Sequence, residues 1–303
     1  MTAPHRPSSA RAIALRRCLL AVSVLHDLDL TWDESADGTA PDLTVDGTPP
    51  VRVSGARLDA VLADRDLDAP ATVEHLARWL LLRRTLVTTP LPLVLEGLRV
   101  VGLPSDHPHH PGPDWSRLVL PGGALTLGLG LLPDVGGDEV PAQVGGLFGA
   151  PTAVEAQPPV PLPVGVLEDA GIDPRPVWPH ALARLEHLGG LAAARRGRRP
   201  RDPLRPMAEA DVVTLLGSRR LRFALASETS TGLAALVVPM RRRGWVSSSA
   251  IDPAFGPAAA AATEEHERGF ARPLLVTEYE VVQVPAGGHP LRHLGQSAGS
   301  RWS

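Results

Sequence analysis

Three histidines and two aspartates fall within residues 106–114, a concentrated group of potential metal ligands. Imidazole and carboxylate groups at this density could bind zinc or another transition metal. The residues that could act as ligands are His107, His109, His110 and Asp114. Metal sites usually draw their ligands from rigid elements, however, and His109 and His110 point apart if the segment is extended. A metal-dependent hydrolase built on this loop therefore competes with a solvated loop that binds nothing.

Arginine accounts for all 30 residues counted as Lys or Arg, and the chain contains neither lysine nor asparagine. Without lysine, the protein cannot form a lysine Schiff base, hold pyridoxal phosphate in the usual way or complete a Walker phosphate loop. The abundance of Arg, Ala, Gly and Pro is typical of a GC-rich bacterial coding sequence, so it does not by itself indicate a selected role for arginine. We predict no cofactor, and the sequence leaves open whether the protein is an enzyme.

Arginine clusters in the second half of the chain, at residues 195–201, 219–222 and 241–243, could contact phosphate groups. If the last two clusters border two antiparallel strands, they lie at the same end of a sheet and form one patch. The residues of this patch are Arg219, Arg220, Arg222, Arg241, Arg242 and Arg243. Nucleic-acid binding through the patch is one functional alternative. The net charge of −3 opposes it, and so does the presence of only Phe223 and Trp245 nearby for base stacking.

Charge is segregated along the chain. Residues 27–74 contain 12 acidic residues and three arginines, a net charge of about −9. Residues 181–250 contain 13 arginines and five acidic residues, a net charge of about +8. Such blocks often mark interaction surfaces, although a solvated face or a contact between the two halves of one molecule is the alternative. The leading hypothesis is a non-enzymatic protein-binding or scaffolding role, with another protein or a second copy of the chain as the partner.

The composition is that of an ordinary globular protein, with 44% hydrophobic and 21% charged residues. No apolar stretch reaches the roughly 18 residues needed to span a membrane, and the short apolar run after Arg17 lacks a cleavage site. We therefore expect a cytoplasmic protein without a membrane partner. The single cysteine, Cys18, excludes an internal disulfide and a cysteine-based metal cluster. Its apolar neighbours predict a buried thiol.

The elements that must position the arginines are a β-hairpin within residues 221–245 and a third strand at residues 273–284. Leu221, Phe223 and Leu225 alternate with other residues, which is the period of a half-buried strand. Residues 233–238 are apolar without interruption, which is typical of a central strand.

Helices are predicted at residues 72–86, where an apolar stripe has the helical period, and at residues 179–195, which begin with proline. The mixture of elements predicts an α+β fold of two lobes, with a C-terminal β-hairpin plus a third strand packed on helices. The predicted divisions are an acidic N-terminal lobe (1–150), a Pro-rich linker (151–165), a basic C-terminal lobe (166–285) and a flexible tail (286–303). A long surface loop within one domain is the alternative to the linker.

Overall fold

A computed structural model of the chain describes residues 9–33, 40–63, 65–112, 115–133, 158–247 and 254–285. Helices and three antiparallel sheets are present in these ranges, so the predicted α+β fold class is confirmed. The described residues divide into two compact units that are each built from several separate stretches of the chain. Unit 1 contains residues 9–33, 40–63, 65–96 and 165–172, and unit 2 contains residues 97–112, 115–133, 158–164, 173–247 and 254–285.

Unit 1 packs helices with a small antiparallel sheet in the order β1-β2-β3. Its elements are α1 (Ser9–His26), β1 (Leu30–Trp32), β2 (Leu43–Val45), β3 (Val51–Val53), α2 (Gly55–Leu62), α3 (Pro70–Thr88), α4 (Leu91–Gly97, which ends at the boundary of unit 2) and α5 (Val164–Asp169, which begins at it). Helix α3 confirms the helix predicted at residues 72–86. Pro70 occupies its first turn, where backbone N–H groups have no partner within the helix, so the N–H that proline lacks costs no hydrogen bond. Leu76 and Leu80 of this helix are completely buried, and Cys18 of α1 is almost completely buried.

Two sheets and their covering helices make up unit 2. Its first part contains β4 (Leu98–Pro104), β5 (Ser116–Val119), β6 (Leu125–Leu131), β7 (Val160–Pro161) and α6 (Pro174–Arg198). Its second part contains α7 (Val212–Leu215), α8 (Arg219–Ser227), β8 (Ala234–Met240), β9 (Arg243–Ser247), α9 (Phe255–Ala262), a 3-10 turn (Glu265–Glu267), β10 (Leu274–Val276) and β11 (Val281–Gln283). The sheets have the orders β4-β6-β5, with β7 also paired to β6, and β11-β10-β8-β9.

The first sheet of unit 2 is centred on β6, all of whose residues are buried. Trp115 packs against this strand, with its Nε1–H donating to the carbonyl of Leu129 at 2.7 Å. A Cβ on Gly128 would come within 2.3 Å of the indole ring, so only glycine allows this approach. Val101 and Leu103 of β4 complete the cluster around the indole, which fixes the start of the His-rich loop that follows β4.

The second sheet of unit 2 has the predicted C-terminal hairpin and returning strand, but with a different first strand. β8 is central, paired with β9 on one side and β10 on the other, which confirms the central strand predicted at residues 233–238. Helix α9 packs on β8, and α8 packs on β10. The strand predicted at residues 221–225 is wrong, because these residues belong to α8.

The helical form of residues 219–227 has a clear physical cause. Ser218 caps the N-terminus by accepting a hydrogen bond from the Leu221 amide. Leu221 and Leu225, four residues apart, point into the core, whereas Phe223 between them is 56% exposed. The burial of these residues therefore follows the helical period, because in a strand Phe223 would share the buried face of Leu221 and Leu225.

Parts of the predicted domain division lie outside the described residues, namely 151–157 of the linker and the tail from residue 286 onward. Within the remainder of the linker segment, Val160–Pro161 pairs with β6 as β7. The division at residues 151–165 stays a prediction.

Candidate functional site

The six arginines predicted to form one patch lie in two different places. Arg219, Arg220 and Arg222 belong to α8, and Arg219 Nε donates to Glu278 of the β10–β11 turn at 2.8 Å. That turn follows Val276, which pairs with Ala234, the first residue of β8. The other three, Arg241, Arg242 and Arg243, follow Met240, the last residue of β8.

The two groups are thus at opposite ends of a seven-residue strand, which spans about 20 Å. The prediction that they share one end of a sheet is wrong, because it depended on residues 221–225 being a strand. Arg222 is also occupied inside the fold, where its guanidinium donates to the carbonyls of Leu216, Gly217 and Glu278. Arg241 is buried and paired with Asp211. The two groups therefore do not share one end of the sheet, and a binding role for any of these six arginines stays a prediction.

The His-rich loop folds so that its imidazoles contact protein groups. His107 Nδ1 accepts from the backbone N–H of His109 at 3.1 Å, and the two rings are 5.9 Å apart. His110 packs edge-on against Trp115, with ring centroids 5.2 Å apart. His109 Nε2 lies 3.9 Å from a carboxylate oxygen of Glu265.

His107 is poorly suited to acid–base chemistry near neutral pH. Burial, followed by the positive charge of Arg241, lowers its pKa to about 3. Asp114, the fourth predicted ligand, lies outside the described residues. Among the residues that the structure does describe, no three His, Cys, Asp or Glu side chains are grouped as metal ligands. The metal site at this loop stays a prediction.

A cleft in unit 2 brings together the first of the three arginine clusters with an apolar floor. It has a volume of about 160 Å³ and lies between the C-terminal end of α6, the following loop, α7 and the first turn of α8. We call it the arginine cleft, and its lining residues are Ala192, Arg195, Arg196, Arg199, Asp202, Pro203, Leu204, Arg205, Val212, Leu215 and Leu221. None of these residues was among the predicted patch residues.

Helix α6 explains why arginines gather at this end. The helix starts at Pro174, where Asp173 Oδ1 accepts from the Arg175 amide at 2.9 Å, and runs for 25 residues. Arginines in its last turn lie beside the unpaired carbonyls and the negative end of the helix dipole, which favours cations. The helix end is therefore a stable place to hold several guanidinium groups close together.

Arg196 forms the fixed wall of the cleft. It continues the buried stripe of Leu185, Leu188 and Ala192 along α6, and its side chain is only 8% exposed. Its Nε and Nη2 donate to the two carboxylate oxygens of Glu228 at 3.0 and 3.1 Å, and its Nη1 donates to the Asp202 carbonyl at 3.0 Å. A guanidinium held at three atoms loses little further entropy when it meets a ligand.

The remaining arginines of the cleft are exposed and largely uncommitted. Arg199 Nη1 is 3.8 Å from Asp202 Oδ2, and both side chains are more than half exposed, so this pair contributes little. Arg195 and Arg205 have no ion-pair partner among the residues that the structure describes. Four guanidinium groups thus meet two carboxylates, those of Asp202 and Glu228, and about two positive charges remain unbalanced.

The floor of the cleft is aliphatic. Leu204, Leu215 and Leu221 are each at most 6% exposed, and they close the cleft below the guanidinium groups. The arrangement suits an anionic group that carries or adjoins an apolar segment. The lining contains no Ser, Cys, His or Tyr side chain that could act as a nucleophile or as a base near neutral pH.

In the ranges that the structure describes, no helix has both the length and the apolar character needed to cross a membrane. Comparison of the chain with protein-family models, with curated proteins and with solved structures finds no match.

Proposed function

We propose that the protein is a cytoplasmic, non-enzymatic binding protein that takes an acidic segment of a partner protein into the arginine cleft. The observation that carries this proposal is the meeting of four arginines and two carboxylates above a buried aliphatic floor. Guanidinium–carboxylate hydrogen bonds are among the stronger polar contacts in proteins, and they are directional. The cleft therefore favours a negatively charged group and restricts its orientation.

The size of the cleft favours a protein segment over a cofactor or nucleotide. Its volume is about 160 Å³. Sites for small molecules and cofactors usually enclose about 300–1,000 Å³. A cleft of this volume holds one acidic side chain and a neighbouring aliphatic group, and the rest of such a segment would lie on the surrounding surface.

Nucleic acid is a weaker candidate because the arginines do not form a track. Those of α8 and those that follow β8 are at opposite ends of the strand, and the cleft lining has no aromatic side chain for stacking. Trp245 already stacks edge-on against Phe255. A duplex or single strand would need a longer continuous positive surface than one cleft provides.

Binding of a short fluorescent peptide, in which glutamates alternate with leucines, tests the proposal by anisotropy on the full chain. We expect binding that weakens as salt is raised, and a loss of about tenfold or more when Arg195 and Arg205 are both changed to Gln. Arg272→Gln removes one positive charge, half of what the double variant removes, from an exposed position outside the cleft and serves as the control. An equal loss in both variants, or none in either, would show that the cleft is not the binding site.

Two further measurements distinguish the alternative partners. Tighter binding of a labelled single-stranded oligonucleotide than of the peptide would favour nucleic acid instead. The acidic residues 27–74 of a second copy are another source of carboxylates. Concentration-dependent dimerisation in sedimentation that is abolished by the Arg195→Gln/Arg205→Gln variant would identify self-association as the form of the interaction.

A further inference from the structure

The charge left unbalanced in the arginine cleft is larger than one carboxylate neutralises. Glu228 is fully engaged by Arg196, and Asp202 is shared with Arg199, which leaves the charges of Arg195 and Arg205 facing the cleft. A glutamate or aspartate side chain brings one negative charge. A phosphorylated serine, threonine or tyrosine brings about −1.5 to −2 at neutral pH, together with three strong acceptor oxygens.

Arg196, the buried wall of the arginine cleft, has N–H groups that its contacts within the fold do not use. A guanidinium has five N–H groups, and the contacts of Arg196 to Glu228 and to the Asp202 carbonyl use three of them. Its two remaining N–H groups belong to a side chain that is more than nine-tenths buried and lines the cleft. A tetrahedral phosphoryl group can accept from this fixed guanidinium while its other oxygens face the exposed Arg195 and Arg205.

We infer that the arginine cleft recognises a phosphomonoester dianion on the partner segment, so that the protein binds a phosphorylated side chain in preference to a plain acidic one. This inference rests on the proposed function, since it specifies the chemistry of the same occupant. The aliphatic floor formed by Leu204, Leu215 and Leu221 closes the cleft beneath the phosphoryl group and excludes water from that side. Binding would then depend on the phosphorylation state of the partner.

Asp202 provides a way to tell a ligand site from a merely structural cluster. Its carboxylate lies in the cleft and competes with an incoming phosphoryl group for Arg199, whereas only its backbone carbonyl holds Arg196. Asp202→Asn removes the competing charge and keeps the backbone contact. We expect this variant to bind the phosphorylated peptide several-fold more tightly, an outcome that a purely structural role for Asp202 does not produce.

The decisive experiment compares peptides that differ only at one central position, flanked by leucine, and that carry serine, glutamate or phosphoserine there. We expect the order phosphoserine, glutamate, serine, with phosphoserine preferred to glutamate by about tenfold. The preference should be lost in the Arg195→Gln/Arg205→Gln variant and kept in Arg272→Gln. Inorganic phosphate at high concentration should displace the phosphoserine peptide.

Failure of this inference is distinguishable from failure of the proposed function. Equal binding of the glutamate and phosphoserine peptides would overturn phosphate recognition and leave acidic-segment binding intact. No binding of any peptide would overturn both. A phosphoserine preference that survives in the Arg195→Gln/Arg205→Gln variant, with circular dichroism showing that the variant is folded, would place the phosphate elsewhere and overturn the assignment of the cleft.

Discussion

Arg241 and Asp211 form an ion pair that is almost closed to solvent, with side chains 6% and 4% exposed. Arg241 Nε donates to Asp211 Oδ2 at 2.8 Å, and Asp211 Oδ1 accepts from the Thr214 amide at 2.7 Å. The same aspartate thus caps α7 and neutralises an arginine at the end of β8. This explains why Arg241, despite lying in an arginine run, is committed to the fold and not to a ligand.

Loss of the Asp211 carboxylate should destabilise the protein strongly. Asp211→Ala leaves the buried Arg241 guanidinium without a counter-charge and removes the cap of α7, for which we expect a loss of about 3–5 kcal/mol in the free energy of unfolding. Urea denaturation of the full chain measures this. Asp202→Asn, at an exposed pair, is the control and should change stability by less than about 1 kcal/mol. A similarly small loss in the free energy of unfolding for both variants would contradict a solvent-excluded ion pair between Arg241 and Asp211.

The fold was predictable where one segment's own pattern decides its structure. The apolar stripe of α3 and the uninterrupted apolar run of β8 are local signals, and both elements are present. Helix α8 is different, because leucines at 221 and 225 fit either period. Its N-terminus is fixed by Glu186 of α6, which accepts from the Arg219 amide at 2.8 Å and from Ser218 Oγ at 2.8 Å. A contact across 33 positions leaves no trace in the local sequence.

The packing of α6 against the start of α8 depends on one of two adjacent glycines. A Cβ on Gly189 would lie 1.9 Å from Ser218 Oγ and 2.3 Å from its Cβ, whereas a Cβ on Gly190 would make only ordinary contacts at 3.6 Å or more. Gly189→Ala must therefore push the helices apart, and we expect a loss of about 1–3 kcal/mol. Thermal or urea unfolding measures it.

Gly190→Ala is the matched control, one residue along the same helix. Alanine costs less backbone entropy than glycine in a helix, so this variant should gain about 0.5–1 kcal/mol. Opposite signs for the two substitutions are the expected result. If both variants were stabilised, the close approach of α6 and α8 at Ser218 would be wrong.

The candidate site was only partly visible in the sequence. The run of arginines at residues 195–201 stands out and marks one wall of the arginine cleft. Arg205 comes from the loop after α6, whereas Leu221 of the floor and Glu228, which holds Arg196, come from α8 and its C-cap. Their meeting depends on the hydrogen bonds and packing between α6, α7 and α8, which composition and spacing do not reveal. Of the six arginines predicted to form a patch, Arg222 and Arg241 are instead buried in contacts within the fold.

Acid should destabilise the protein partly through His107, whose pKa burial lowers to about 3, from an ordinary value of 6.5. As the pH falls below about 6.5, the unfolded chain takes up a proton that the folded imidazole does not bind, so the free energy of unfolding falls by up to about 1.4 kcal/mol per pH unit. His107→Asn keeps an acceptor for the His109 amide and removes this titration. Urea denaturation between pH 7 and about pH 5 should give a shallower decline for His107→Asn, with His187→Asn, on the exposed side of α6, as the control. The same steep decline in His107→Asn as in the unmodified protein would show that His107 is protonated in the fold.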